Sequence, residues 1–496
     1  MTPKPIYYTG SGAGKAPLRS DPLRKAKARY DVIVIGSGLA GLTAANILGR
    51  AGHSVCVLEQ HYNFGGLATW FKRKGGHIFD ISLHGFPIGM RKTCRKYWSP
   101  EIASRIEQLD SVRFDNPQFS FETNFTRVDF TEKLVKVFGI ERSIVERFFT
   151  DLAEMNFYDQ DGRTTQELFE EYFPGRNDVH RLLMEPISYA NGSTLADPAI
   201  SYGIVFSNFM SKGVYTFTGG TDLLIGEMKR ELARGGVDLF GRAQVESIVV
   251  ESGRVRGVQV EGRFIAADCV LSNAGIKATI NRLVGEEHFS EDFYKGANDI
   301  RLSTSSSQVY MGLRKGVELP WITDLYFTST RPEFTSEALC DMHGESRTFS
   351  FYYPKVRPGT GRATIVSSMN ARWEDWGGLD REEYERHKQK LIADNVAGLE
   401  RYLPGISADI EHVEAATPAT FGFYTESSRG TSFGTKFEGL QYSMELSKQV
   451  EGLYHSGSVG IIMSGWLGAA NYGAITANKI DAFIHSMKVA LQGMES

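Results

Sequence analysis

Residues 31–66 read DVIVIGSGLAGLTAANILGRAGHSVCVLEQHYNFGG, and this run limits the fold more than any other part of the chain. An apolar strand, Asp31 to Ile35, leads into a turn with Gly36, Gly38 and Gly41 in G-x-G-x-x-G spacing. A helix-competent stretch, Leu42 to Arg50, ends near Gly52, and a second apolar strand, Val55 to Leu58, ends at Glu59. Strand, glycine turn, helix, strand and terminal acid together form the βαβ fingerprint of a dinucleotide site. Gly36 permits the tight turn, Gly38 lets the backbone approach a pyrophosphate, and Gly41 allows helix and strand to pack closely. The residues between them, Ser37, Leu39 and Ala40, belong to the same cradle. Its free N–H groups and the positive end of the helix dipole favour phosphate. Glu59 lies 18 residues past Gly41, where an acceptor for ribose hydroxyls belongs.

The residues after this unit point to FAD rather than NAD. Gln60, then Gly65-Gly66 and Leu67, follow the acid closely, and Gly75-Gly76-His77-Ile78-Phe79-Asp80 comes next. Glycine pairs there suit a backbone running beside a long, extended cofactor. No second unit with strand, G-x-G-x-x-G and acid is present, since Gly219-Gly220 and Gly235-Gly236 lack that context. A resident nicotinamide domain is therefore not expected. Electrons would be exchanged with the substrate, oxygen, a quinone or a separate donor or acceptor.

The E-x(5)-GG run followed by G-x-x-FD resembles the FAD-binding flavoproteins that include phytoene desaturases, carotenoid isomerases and retinol saturases. Amine oxidases share the fold more distantly. Phe217-Thr218-Gly219-Gly220, Gly235 to Leu239, and Val245 to Val250 resemble internal segments of that family. So does Asp268-Cys269-Val270-Leu271-Ser272-Asn273-Ala274. Thr417-Pro418 and Gly430 to Gly434 resemble a late segment of the carotenoid-isomerase branch. The resemblance implies an α/β fold, with a Rossmann-type, glutathione-reductase-like FAD-binding domain and an inserted α+β substrate domain. It also implies FAD contacts from Val245 and Asn273.

Gly452 to Asn478 carries no Asp, Glu, Lys or Arg and is long enough to span a bilayer. Its glycines, serines and asparagines argue instead for a strand, Leu453 to Ser456, a turn over Gly457-Ser458-Val459-Gly460, and a helix that begins near Gly465 to Gly468. In the family this closing segment passes beside the flavin, which implies contacts from Gly457, Ser458, Gly468 and Ala469. Relatives usually carry an acid where Ser458 stands, and a serine can still make one hydrogen bond to a ribityl hydroxyl.

These anchors divide the chain into a flexible tail at 1–27, FAD-domain pieces at 28–90, 213–300 and 440–496, and a substrate or membrane-facing side at 91–212 and 301–439. The first insert reads as largely helical, with a Thr164-x-x-Glu167 capping box. The second mixes strands (Ser305 to Gly312, Thr364 to Ser368) with a helix over Glu382 to Tyr402. A net charge of −4 gives no reason to expect nucleic acid. Gly10 to Lys15 has the wrong spacing for a phosphate loop. Cys56, Cys94, Cys269 and Cys340 are far apart, without a CxxC, so neither disulfides nor a metal site is implied. No secretion signal is seen in the polar, basic first 30 residues, so a cytoplasmic protein is expected.

For the chemistry, His84 in FDISLHGF is the first candidate acid or base, because the retinol-saturase branch has a similar histidine there. A histidine bonding a backbone carbonyl is the plainer alternative. Tyr472 is a second candidate, and Trp466 and Asn471 are possible lining residues. Asp80 reads as a structural residue holding its loop, and His455 as a core histidine. An apolar lipid substrate would suit the many aromatics of the inserts: Phe119, Phe121, Phe125, Phe148, Phe149, Phe206, Phe209, Tyr215, Phe217, Phe349, Phe351, Tyr352 and Tyr353. A large ordinary core would contain them too. Arg91, Lys92, Arg95 and Lys96 beside Tyr97 and Trp98 have the makings of a peripheral membrane contact. The expected function is making, removing or shifting carbon–carbon double bonds in a carotenoid, retinoid or acyl lipid. The alternatives are a flavin amine oxidase and a non-enzymatic prenyl-lipid escort protein of the same fold.

Overall fold

The computed structural model describes residues 21–156, 162–342 and 344–495. Gly10 to Lys15 and most of the expected tail lie outside them. The tail's expected end at residue 27 is corrected. The chain already packs from Asp21, because Leu23 is buried and Asp21 pairs with Arg263.

The first strand runs from Arg29 to Ile35, and Val32, Ile33 and Val34 are fully buried. Such a continuous apolar run is what a parallel strand covered on both faces requires. It sits in a seven-stranded sheet between Val55–Glu59 and Arg263–Ser272, pairing in parallel with both. Asp238–Gly241 and Leu453–His455 extend the parallel part, while Arg254–Val260 and Val245–Glu251 form an antiparallel flank. The register sets Ile35 opposite both Leu58 and Ser272. Gly36, Glu59 and Asn273 therefore leave the sheet at one edge, the carboxyl end where open α/β sheets bind ligands.

The helix Leu39–Arg50 covers one face of this sheet. The closing helix, Gly465–Glu495, packs across it where a Cβ on Gly473 would lie 2.2 Å from the Ala40 carbonyl oxygen. Glycine at 473 sets how close the two helices can come. Among the described residues, no helix is long and apolar enough to cross a membrane.

A second seven-stranded sheet takes Ser305–Leu313, Leu325–Ser329, Ser346–Tyr352, Thr364–Ala371 and Ile410–Ala416 from the later insert, and Val112–Asn116 and Phe119–Thr123 from the earlier one. The earlier insert is thus not purely helical. Its helices, including Asn177–Asn191 and Ala199–Met210, close over a core of Phe130, Phe148, Phe149, Phe169 and Phe206. Edge-to-face and stacked ring contacts fill that core. The expected capping box forms at Thr164 and Glu167.

Candidate active site

Gly36 has φ +90°, a conformation that side chains rarely adopt. All three fingerprint glycines crowd Asn273. A Cβ on Gly38 would stand 2.5 Å from its Oδ1, one on Gly41 would stand 2.6 Å from the Gly36 carbonyl oxygen and 3.0 Å from the same Oδ1, and one on Gly36 would stand 3.7 Å from its Cβ. The glycines therefore admit the asparagine as well as leaving room for a ligand. Asn273 is held by its backbone N–H to the Ile35 carbonyl (2.8 Å) and its Nδ2 to the Ser456 carbonyl (2.8 Å). The second glycine loop lies against the first. Gly65 N–H donates to the Ser37 carbonyl at 3.0 Å, and a Cβ on Gly66 would come 2.9 Å from the Gly38 Cα.

Glu59 is buried, and its carboxylate accepts from the Ser37 N–H (2.9 Å), the Ser37 hydroxyl (2.6 Å) and the His61 N–H (2.8 Å). The helix behind Gly38 has no side-chain cap. The Ser456 hydroxyl is buried with no hydrogen-bond partner among the described residues, and the residue lines the cleft. Narrow glycine loops, uncapped N–H groups, a buried acid and an orphaned hydroxyl fit a dinucleotide.

The cleft is one end of a cavity of about 500 Å³. Of the residues expected to hold the cofactor, Gly36, Ser37, Gly38, Leu39, Ala40, Glu59, Gln60, Gly65, Gly66, Leu67, Val245, Asn273, Ser458 and Ala469 line it. Gly41, Gly457 and Gly468 stand behind the wall. Cβ atoms at the last two would fall 2.5 Å from the Ala274 carbonyl oxygen and 2.4 Å from the Ile462 carbonyl oxygen.

The cavity runs on past His84 into a chamber walled by Phe125, Ile187, Phe209, Leu325, Phe327 and Met369. Of the thirteen aromatics singled out in the sequence, only Phe125 and Phe209 reach it. Most of the others are packed into the hydrophobic cores, because stacking neighbouring helices and sheets needs them there.

His84 sits on the loop after the strand His77–Asp80, which Ser82 ties to the glycine loop through the Leu67 carbonyl (2.8 Å). Its Nδ1 lies 3.0 Å from Ser350 Oγ, and its Nε2 lies 3.1 Å from Gln308 Nε2 and 3.3 Å from Ser368 Oγ. The Gln308 amide is oriented by donating to the Ile81 carbonyl (3.0 Å) and accepting from the Tyr310 hydroxyl. An amide nitrogen only donates, so His84 Nε2 accepts and Nδ1–H donates to Ser350. Burial pulls the imidazole down to about 4. His84 is therefore neutral near pH 7, with both ring nitrogens engaged.

Asp80 accepts two hydrogen bonds from Arg357 Nη2 (2.7 and 2.7 Å), one from the Thr221 N–H (2.7 Å) and one from the Thr221 hydroxyl (2.5 Å). Arg357 reaches Asp222 as well (2.6 Å). This buried network fixes the root of the His84 loop. Arg357 had no local signal in the sequence, and neither did Gln308 or Ser368.

Tyr472 is corrected. Its hydroxyl is bonded to Ser443 Oγ at 2.5 Å in the core behind the cofactor sheet, and the residue does not line the cavity. Ser443 also meets His455 Nδ1 at 2.6 Å. Burial holds that histidine down to about 4. Asn471 is likewise turned away, accepting from the Thr93 hydroxyl at 2.9 Å. Trp466 does line the cavity, stacked on Phe86 and donating to Ser82 Oγ at 3.0 Å. Trp98 is buried and donates to Thr43 Oγ1, so it is no membrane anchor.

The family model for flavin containing amine oxidoreductases matches residues 39–400. The chain belongs to this family. As a flavin amine oxidoreductase family member it is an FAD-dependent oxidoreductase with a Rossmann-type cofactor domain. It is 23% identical over 498 residues to the human all-trans-retinol 13,14-reductase, covering 87% of this chain and 81% of that one. It is 24% identical over 517 residues to the chloroplastic prolycopene isomerase of Arabidopsis thaliana, covering 92% and 83%. An oxidoreductase from Methanosarcina mazei shares the fold, with a TM-score of 0.64 at 15% identity over 90% of this chain and 99% of that one.

Proposed function

We propose that this family member makes, removes or shifts carbon–carbon double bonds in a long apolar lipid of the carotenoid, retinoid or acyl class. The observation that carries this reading is the continuous cavity from the glycine cleft past His84 into the chamber of Phe125, Phe209, Leu325 and Phe327. Long relatives named for retinol reduction and prolycopene isomerisation support it.

In this reading Gly36–Gly41, Glu59, Gly65, Gly66, Asn273 and Ser458 hold FAD, with 28–90, 213–300 and 440–496 as the cofactor domain and 91–212 and 301–439 as the substrate side. Bound FAD supplies the two-electron exchange with a substrate carbon. His84, neutral and bonded on both nitrogens, orients the polar wall beside the reacting segment. The phenylalanines exclude water from the chain. A separate donor or acceptor resets the flavin.

The test is anaerobic incubation of oxidised and of reduced enzyme with carotenoid, retinoid and acyl-lipid panels, scoring products by double-bond count. Turnover by the oxidised form alone means desaturation, and by the reduced form alone saturation or isomerisation. Flavin reduction by a small amine, with every lipid unchanged, replaces the reading with amine oxidation. A colourless protein that binds prenyl lipid replaces it with escort.

Membrane contact belongs to the same proposal. Lys92, Arg95 and Lys96 are exposed on the helix Gly89–Tyr97, suited to anionic headgroups. Co-sedimentation with anionic vesicles at low salt, lost at high salt, is expected. No binding at either salt removes this part.

A further inference from the structure

The chamber's sheet wall is not the hydrocarbon surface that a pure hydrocarbon would need. Residues directly opposite one another in antiparallel strands share a face. One such row crosses the second sheet as Ala416, Gln308, Ser368, Thr348 and Phe327. All five line the cavity, and Ser306 with its partner Asn370 lines it in the next row but one. The polar stretch starts at His84, which touches Gln308 and Ser368, and gives way to phenylalanine at the strand Leu325–Ser329.

Beside Phe327, with ring centroids 5.9 Å apart, stands Tyr189 from the helix Asn177–Asn191. Tyr189 lines the cavity, and its hydroxyl is buried with no hydrogen-bond partner among the described residues. A buried hydroxyl left unpaired is costly, so an orphan on a cavity wall marks a place for a ligand atom. Burial raises the phenol well above its ordinary value, so the hydroxyl stays a donor. Charges of both signs act on Tyr189, first the buried Glu185 carboxylate one turn earlier on the helix and then Arg347. That guanidinium is buried, donates to the Asp394 and Gly344 carbonyls, and pairs with no carboxylate among the described residues. An O–H with no acceptor in the described protein is open to a ligand oxygen.

We infer that the substrate carries a terminal hydroxyl or carbonyl oxygen that accepts a hydrogen bond from Tyr189. Three strand spacings of about 4.8 Å separate the Gln308 and Phe327 strands, so this oxygen docks about 14 Å along the sheet from the His84 end. Tyr189 is then a specificity residue that selects oxygenated chains over hydrocarbons. The inference rests on the lipid reading above and narrows it.

The test uses the FAD-loaded enzyme and two matched pairs, retinol and geranylgeraniol, each against the hydrocarbon with hydrogen in place of its hydroxyl. Binding is read by tryptophan quenching. Tighter binding of at least one alcohol than of its hydrocarbon is expected, with Tyr189→Phe weakening that alcohol about tenfold and leaving the hydrocarbon unchanged. The same variant keeps its flavin and its Tm does not fall, because no protein partner is lost and an unpaired buried hydroxyl is removed. Equal binding of alcohol and hydrocarbon by the wild type overturns the inference while leaving the lipid reading intact. So does an effect of Tyr189→Phe on both alike, or a fall in its Tm. If no member of either pair binds, the inference falls together with the lipid reading.

Discussion

The nucleotide cleft is built from sequence neighbours, Gly36 to Gly41 and Glu59 to Gly66, with Asn273 brought in by one strand pairing. The chamber wall draws Gln308, Ser368, Thr348 and Phe327 from four different strands, and Tyr189 from a helix of the other insert. In the cleft, backbone does the selecting, because Gly38, Gly41, Gly65 and Gly66 leave no room for a Cβ and Gly36 holds a φ of +90°. In the chamber, side-chain chemistry does it. In the proposed reading, one region serves the cofactor and the other selects the substrate. The two meet at the loop Asp80–His84.

Breaking that joint should have the largest effect. Arg357 and Asp80 are both almost fully buried, with side chains 5% and 1% exposed, and their pair joins the stretch proposed as the substrate side to the one proposed as the cofactor side. Arg357→Met leaves a buried carboxylate without its cation, which costs about 3–5 kcal/mol. Denaturant unfolding should show the loss, with flavin release and chamber opening in one transition. Two separate transitions would mean that the regions are independent.

Acid should come next, and it compares the regions directly. His84 on the chamber wall and His455 in the cofactor core both have folded values of about 4 against an ordinary 6.5, because burial disfavours the charged ring. Below 6.5 the unfolded chain binds protons that the folded chain refuses. Stability is therefore full above that pH and falls toward pH 4, by about 1.4 kcal/mol per pH unit for each group. His84→Gln and His455→Gln should each remove one such increment from the slope, measured by denaturant unfolding between pH 4 and 7.5. A slope carried by His455 alone would show that water reaches His84 and that the chamber is wetter than the core.

Gly38→Val sharpens the comparison from the cleft side. Its first added atom would fall 2.5 Å from Asn273 Oδ1, before any clash with phosphate. Overpacking of this kind costs about 1–3 kcal/mol, and flavin absorbance per protein should drop accordingly, while the secondary structure persists. A variant as yellow as the parent would show that the loop yields and the cradle is not the FAD site.

The difference in construction also explains what could be read in advance. The βαβ unit was legible because its signals are local: an apolar strand, glycine spacing and an acid at the next strand end. The closing strand and helix were legible for the same reason, as Gly452 precedes the strand and Gly465 opens the helix, with φ +80° and +66°. The strand Ser305–Leu313 is buried on both faces throughout, so no alternation separates its cavity side from its core side. Gln308 could be assigned to the wall only from its register with Ser368. Arg357 reaches Asp80 across 277 positions, a distance no local pattern spans. Aromatic residues misled because ring packing in a helical core and lining a tunnel demand the same composition.

The smallest expected effect decides whether Tyr472 belongs to either region. His455 Nε2 is 2.8 Å from the Ala274 carbonyl and so donates to it, which leaves Nδ1 to accept from the Ser443 hydroxyl. Ser443 has then spent its proton, and Tyr472 must be the donor to it. The chain of bonds runs from Tyr472 through Ser443 and His455 to Ala274, beside Asn273 of the cleft. Tyr472→Phe removes its first link and leaves an acceptor unfilled, at about 1 kcal/mol. Since the phenol touches no cavity atom, kcat/KM should stay within about twofold, a shift far below the tenfold that 1.4 kcal/mol in the transition state would give. A larger fall in turnover, with Tm and flavin content unchanged, would return Tyr472 to the reacting site.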